Sequence, residues 1–208
     1  MSQIGGQSLT EFMDAVASPT PAPGGGTVAA VAGAMAAALA AMVAGLTLGR
    51  KKYADVEPEF QAIQARANEL RATLMTLAEE DQAAYEKVTA AMKLPKEDAV
   101  ARNVAIQQAL IEAMVAPLKT LEACLGVARC AARAATKGNT NAASDAGVAA
   151  LLAGAAARGA AYNVRINLGS LIVKEQGQPM AQQAVTLLAE VDKYVKVATD
   201  GVEAHLVG

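Results

Sequence analysis

Gly24-Gly25-Gly26-Thr27-Val28-Ala29-Ala30-Val31-Ala32-Gly33-Ala34-Met35 opens a run that continues to Leu48 as AAALAAMVAGLTL, and this run decides the fold. From Ala15 to Gly49 no residue is charged. The apolar and polar residues do not alternate as a half-buried strand requires. Alanine is the best helix former and a poor strand former. A helix apolar on every side belongs at the centre of a protein or across a bilayer. Val28–Leu48 has the length for a bilayer, but alanine contributes almost nothing to insertion. A buried central helix is therefore expected, in a cytoplasmic protein with no membrane partner.

The rest of the chain supports an all-α class. About a quarter of the 208 residues are alanine, hydrophobic residues make up 53% and charged residues 18%, which excludes global disorder. The length favours a single domain over residues 1–208. Ser8 and Glu11 have the spacing of a capping box for a short helix ending near Ala17, before the extended Pro19, Pro21, Pro23 segment. Pro58 starts a long amphipathic helix with the stripe Phe60, Ile63, Ala67, Leu70, Leu74, Leu77, Ala84, Tyr85, Val88, Met92. Leu94-Pro95 breaks it. A further helix is expected from about Glu97 to Ala135, kinked or divided by Pro117. A turn at 137–141 leads to an Ala/Gly-rich helix from about Ser144 to Leu168, and Met180–Leu206 closes the chain. The expectation is a bundle of about six to eight helices with Ala/Gly-rich buried members. Each alanine gains little by burial, so a large close-packed area is needed, and a dimer is expected.

Composition also narrows the chemistry. The net charge is −2, only 3% of residues are aromatic and none is Trp, so neither a phosphate-tracking field nor a base-stacking platform exists and no nucleic-acid partner is expected. The single histidine, His205, stands near the end of the sequence, and Cys124 and Cys130 lie six apart on one helix. No metal site, His-based triad or disulfide framework fits.

Four features remain as candidates for function. Gly24, Gly25 and Gly26 at a helix start present free N–H groups to a ligand, where a plain hinge is the competing explanation. Asp81 lies four after Leu77 and four before Tyr85, which places a carboxylate on the apolar stripe, there either satisfied by buried donors or functional. Gly138, Asn139, Ser144 and Asp145 suit a turn followed by an N-cap, but Asn163 and Asn167, four apart on an apolar helix, suggest an amide-lined pocket. The cluster around Lys51 is either a solvated helix end or a site for an anionic tail.

The run TPAPGGGTVAAVAGAMAAALAAMVAGLTLGRKKY, the phrase EEDQAAYEKVTAAMKLPK, and KGNTNAASDAGVAA followed by YNVRINL resemble the cyclodeaminase/cyclohydrolase family over nearly the whole chain. The resemblance implies an all-α homodimer with a tetrahydrofolate derivative as substrate, no separate cofactor, and a cleft near the subunit interface. It implies hydrolysis of 5,10-methenyltetrahydrofolate to 10-formyltetrahydrofolate, with closure of 5-formiminotetrahydrofolate and loss of ammonia as the alternative. It places the catalytic carboxylate on Asp81. Substrate contacts carry over to Gly138, Asn139, Ser144, Asp145, Asn163 and Asn167. On this view Gly24 to Gly26 close over the ligand and Lys51 holds its glutamate tail.

Overall fold

A computed structural model describes residues 4–206. Among these, seven α-helices and four short 3-10 segments occur and no strand. The helices are α1 (Leu9–Ala17), α2 (Gly25–Thr47), α3 (Glu57–Met92), α4 (Ala99–Glu112), α5 (Val115–Lys137), α6 (Ala143–Ser170) and α7 (Gln178–Leu206). The capping box forms as its spacing predicts: the Glu11 N–H donates to Ser8 Oγ while the Ser8 N–H donates to the Glu11 carboxylate.

Small residues set the packing. Every buried residue of α6 except Val164 is Ala or Gly, and α2 buries mainly Ala and Gly. Without bulky side chains the backbones approach closely, and larger residues of the neighbours fill the grooves. A Cβ on Gly33 would lie 3.0 Å from Cys124 Sγ and 3.2 Å from a Leu74 methyl, so α2 meets α3 and α5 there. A Cβ on Gly126 of α5 would lie 2.9 Å from a Leu70 methyl of α3. These contacts run α3 antiparallel to α2 and α5 roughly parallel to it. Asn139, just before α6, bonds to Leu46 near the end of α2, and Gly159, late in α6, faces Ala29 near its start. The helix α6 is therefore antiparallel to α2. Outside α5 and α6, α7 packs Val195 and Val202 onto Gly154 and Gly147.

Both cysteines are free and buried. Burial pushes the Cys124 thiol up to about 12.

Two boundaries differ from expectation. The helix expected over Glu97–Ala135 is divided at Ala113–Met114, before Pro117. Pro117 falls in the first turn of α5, where its missing N–H costs nothing. The same missing N–H leaves the Ala113 carbonyl without its helical donor. Ser144 is not the N-cap of α6: the helix starts at Ala143 after a 3-10 turn, so Ser144 and Asp145 stand within its first turn.

Close packing at Gly33 predicts that Gly33→Val, although it adds a better buried side chain, destabilises the protein by about 1–3 kcal/mol through overpacking. Chemical denaturation measures it.

Candidate active site

The start of α2 is built to receive an anion or a polar edge. Gly24 is the N-cap and offers no side-chain bond, so the first N–H groups of the helix have no intrahelical acceptor. Asp81, on α3, lies against this end. Thr27 Oγ donates to Asp81 Oδ2 at 2.9 Å, and Thr27 is 1% exposed. The Thr27 backbone N–H also favours the ionised carboxylate. Position 26 must be glycine for this approach, since a Cβ there would sit 2.7 Å from the carboxyl carbon.

Opposing effects act on the carboxyl group. Burial among apolar neighbours raises its pKa, the Thr27 hydroxyl and N–H lower it, and the net displacement is upward. Asp81 is half-buried, between the packed and open halves of α3. Below it Phe60, Leu70, Leu74 and Leu77 are in the core, whereas Tyr85 and Met92 beyond it are 40% and 50% exposed. The upper half of the stripe therefore faces a cleft. This cleft has a volume of about 310 Å³ and is walled by the Gly24–Gly26 turn, by α3 from Asp81 to Met92, by Leu110 and Ala113, and by α6 from Asn163 to Ser170. Its size and mixed lining suit a small organic ligand.

Both asparagines of α6 line this cleft. Asn163 Nδ2 donates to the Gly159 carbonyl at 2.9 Å, which leaves its oxygen and its second N–H for a ligand. Asn167 Nδ2 donates at 3.0 Å to the Ala113 carbonyl, the group that Pro117 leaves without a helical donor. One proline thus accounts for one half-buried amide. Thr27 and Tyr85 were not singled out by the sequence; a hydroxyl directly after a glycine run was the available signal for Thr27.

The remaining candidates lie elsewhere. Lys51, Gly138, Asn139, Ser144 and Asp145 are at the far end of α2, whose 23 residues span about 34 Å. Asn139 is 5% exposed and uses its side chain on the protein: Nδ2 donates to the Leu46 carbonyl and Oδ1 accepts from the Asn141 N–H. Its own N–H donates to Thr47 Oγ. A Cβ on Gly138 would collide with the Ala134 carbonyl and crowd Phe60, so glycine there serves the turn. Ser144 and Lys51 are exposed. Next to them the Thr140 N–H donates to Tyr53 Oη at 3.0 Å, and the Lys52 ammonium lies 5.3 Å from the Tyr53 ring centre. Within one chain, Asp81, Gly24, Gly25, Gly26, Asn163 and Asn167 come together, and the other five do not join them. Among the described residues no cluster of His, Cys, Asp and Glu suits a metal.

A family model described as formiminotransferase-cyclodeaminase matches residues 8–186. Methenyltetrahydrofolate cyclohydrolase of Methylorubrum extorquens is 41% identical over 189 residues, which are 89% of this chain and 91% of that protein. Formimidoyltransferase-cyclodeaminase of Sus scrofa is 33% identical over 95% of this chain, which spans only 37% of that protein's length. The crystal structure of formiminotetrahydrofolate cyclodeaminase from Thermotoga maritima superposes with a TM-score of 0.89 at 35% identity, covering 97% of this chain and 98% of that one.

Two expectations follow from the Asp81 environment. Replacing Thr27 by Val removes a hydroxyl donor that favours the ionised carboxylate, so the acid limb of any Asp81-dependent activity moves to higher pH, while Thr27→Ser restores it. A pH–rate profile measures this. The raised pKa also has a stability sign: the folded protein holds the Asp81 proton more tightly than the unfolded chain, so this group's contribution is fully present below the unfolded value of 3.8 and falls as pH rises through the folded value. Asp81→Asn should therefore raise Tm at neutral pH, with the gain vanishing in acid.

Proposed function

The chain belongs to the formiminotransferase-cyclodeaminase family, and on that footing we propose that it hydrolyses 5,10-methenyltetrahydrofolate to 10-formyltetrahydrofolate. The observation that carries this is the half-buried Asp81 carboxylate, held by Thr27 at one end of a ligand-sized cleft. The 41% identity to a methenyltetrahydrofolate cyclohydrolase, over nearly the full length of both chains, supports the hydrolytic branch.

In this mechanism Asp81 is the general base and then the acid. Oδ2 accepts from Thr27 and leaves Oδ1 for the reacting water. Water adds to the carbon joining N5 and N10 as Asp81 takes its proton, giving a tetrahedral carbon. The bond from that carbon to N5 then breaks, Asp81 returns the proton to N5, and the formyl group stays on N10. The second proton of the attacking water is released to solvent. The upward displacement of the Asp81 pKa moves it toward the range where a carboxyl group both accepts and gives a proton. The Asn163 oxygen orients the amide edge of the pterin, and Tyr85, Val88 and Leu110 flank the ring that follows it.

The alternative branch closes 5-formiminotetrahydrofolate to the methenyl compound with loss of ammonia. It uses the same tetrahedral carbon and is favoured by the 0.89 match to a formiminotetrahydrofolate cyclodeaminase. The two readings separate in one assay of methenyl absorbance: decay of added 5,10-methenyltetrahydrofolate marks hydrolysis, and its appearance from the 5-formimino compound marks deamination. Asp81→Asn should lower kcat in the active direction by about 10²–10⁴. Full turnover by a folded Asp81→Asn protein would exclude Asp81 as the base. The working unit in this proposal is a homodimer.

A further inference from the structure

We propose that Tyr85 decides which carbon–nitrogen bond breaks: its ring stacks on the aminobenzoyl ring of the substrate, holds N10 conjugated with that ring, and so keeps the formyl group on N10. This deepens the hydrolytic reading given above and rests on it.

The cleft has a polar end and an apolar wall. Thr27 and Asp81 meet at the start of α2, and Asn163 is there too, since a Cβ on Gly25 would lie 3.8 Å from its Nδ2. Farther along α6, Asn167 and Ser170 give side-chain donors to the Ala113 and Ile166 carbonyls. Tyr85, Val88, Leu110 and Ile166 supply the apolar wall. A pterin, edged with amide and amino groups, belongs at the polar end, and the aminobenzoyl ring against the apolar wall. Tyr85 follows Asp81 by four residues on α3, so their Cβ atoms are about 5–6 Å apart on one face of the helix. N10 is bonded directly to the aminobenzoyl ring, and with the bridging carbon at Asp81 that ring comes within reach of Tyr85. Among the described residues that line the cleft, Tyr85 is the one aromatic. It continues the stripe of Leu74 and Leu77, which are buried, yet is itself 40% exposed, so its face is free to receive another ring.

Addition of water leaves a tetrahedral carbon bonded to N5, N10 and the new hydroxyl, and it can collapse in two ways. When the bond to N5 breaks and Asp81 delivers its proton to N5, the formyl group stays on N10. When the bond to N10 breaks and the same proton goes to N10, the formyl group stays on N5. The departing nitrogen is the one whose lone pair takes the proton. N10 is an arylamine nitrogen, and its lone pair is delocalised into the ring and the para carbonyl while ring and nitrogen stay coplanar. Rotation about the bond between them ends that overlap and makes N10 a proton acceptor. The polar end of the cleft fixes the pterin and with it N5 and N10, and Tyr85 fixes the plane of the aminobenzoyl ring. Turning that ring on edge would lose the stacked contact. N5 then takes the proton. Stacking thus acts on the choice between two transition states as well as on affinity.

Chromatographic separation of the two formyl isomers after turnover of 5,10-methenyltetrahydrofolate tests this. The wild type should give 10-formyltetrahydrofolate. Tyr85→Leu, which keeps apolar bulk without a ring, and Tyr85→Ala should raise KM about 2–10-fold and the 5-formyl share at least about tenfold, with helical circular dichroism unchanged. Tyr85→Phe should restore the wild-type product ratio, because the ring and not the hydroxyl makes the stack. An unchanged ratio in folded Tyr85→Leu and Tyr85→Ala overturns the proposal, whatever happens to KM. A 5-formyl share in Tyr85→Phe equal to that of Tyr85→Leu overturns it too. A wild type that consumes no 5,10-methenyltetrahydrofolate fails the hydrolytic reading instead. The stack is then decided by titrating the chain with 10-formyltetrahydrofolate. Loss of intensity in the aminobenzoyl absorption band with the wild type and Tyr85→Phe, but not with Tyr85→Leu, supports it, and the same band with all three overturns it.

Discussion

Close approach of helix backbones is the constraint on which the rest depends. Alanine and glycine give each position little hydrophobic gain, so stability must come from many contacts at short range. That closeness is also what makes the site. Gly26 lacks a side chain, so the carboxylate of Asp81 can lie against the first turn of α2 and accept from Thr27. The packing that holds α2 to α3 along its length therefore also sets the position of that carboxylate.

A second dependency runs through Pro117. By lacking an N–H it leaves the Ala113 carbonyl open, and Asn167 fills that place from α6. One wall of the cleft, the junction of α4 and α5, is thus tied to another wall by a single bond. Asn163 makes its own bond within α6 and keeps its oxygen for the cleft. Two asparagines four residues apart, alike in sequence, have different duties because only one of them faces a break in a neighbouring helix.

The helices and the placement of Asp81 on the apolar stripe were legible from spacing, since a carboxylate seven after Leu74 and four before Tyr85 has to share their face. The all-α class and the folate family were legible too. The place where the long helix divides was not, because a proline tolerated in a first turn leaves the same local pattern as one that kinks a helix. Neither was the separation of Lys51 and the 138–145 segment from Asp81. Periodicity gives the face of each helix but not which ends of different helices meet, so residues that look like one site in the sequence fell at opposite ends of α2. The openness of α3 beyond Asp81 was hidden for a related reason: Tyr85 and Met92 continue the apolar stripe whether a core or a cleft lies before them.

The state of the two thiols has a practical consequence. With Cys124 enclosed and its ionisation pushed up to about 12, and Cys130 buried and likewise displaced upward, neither presents a thiolate to solvent at neutral pH. The native chain is in effect blank toward maleimide reagents. A cysteine introduced on any exposed helix face would be the sole point of labelling, so fluorophores or spin labels can be attached without first removing the natural ones.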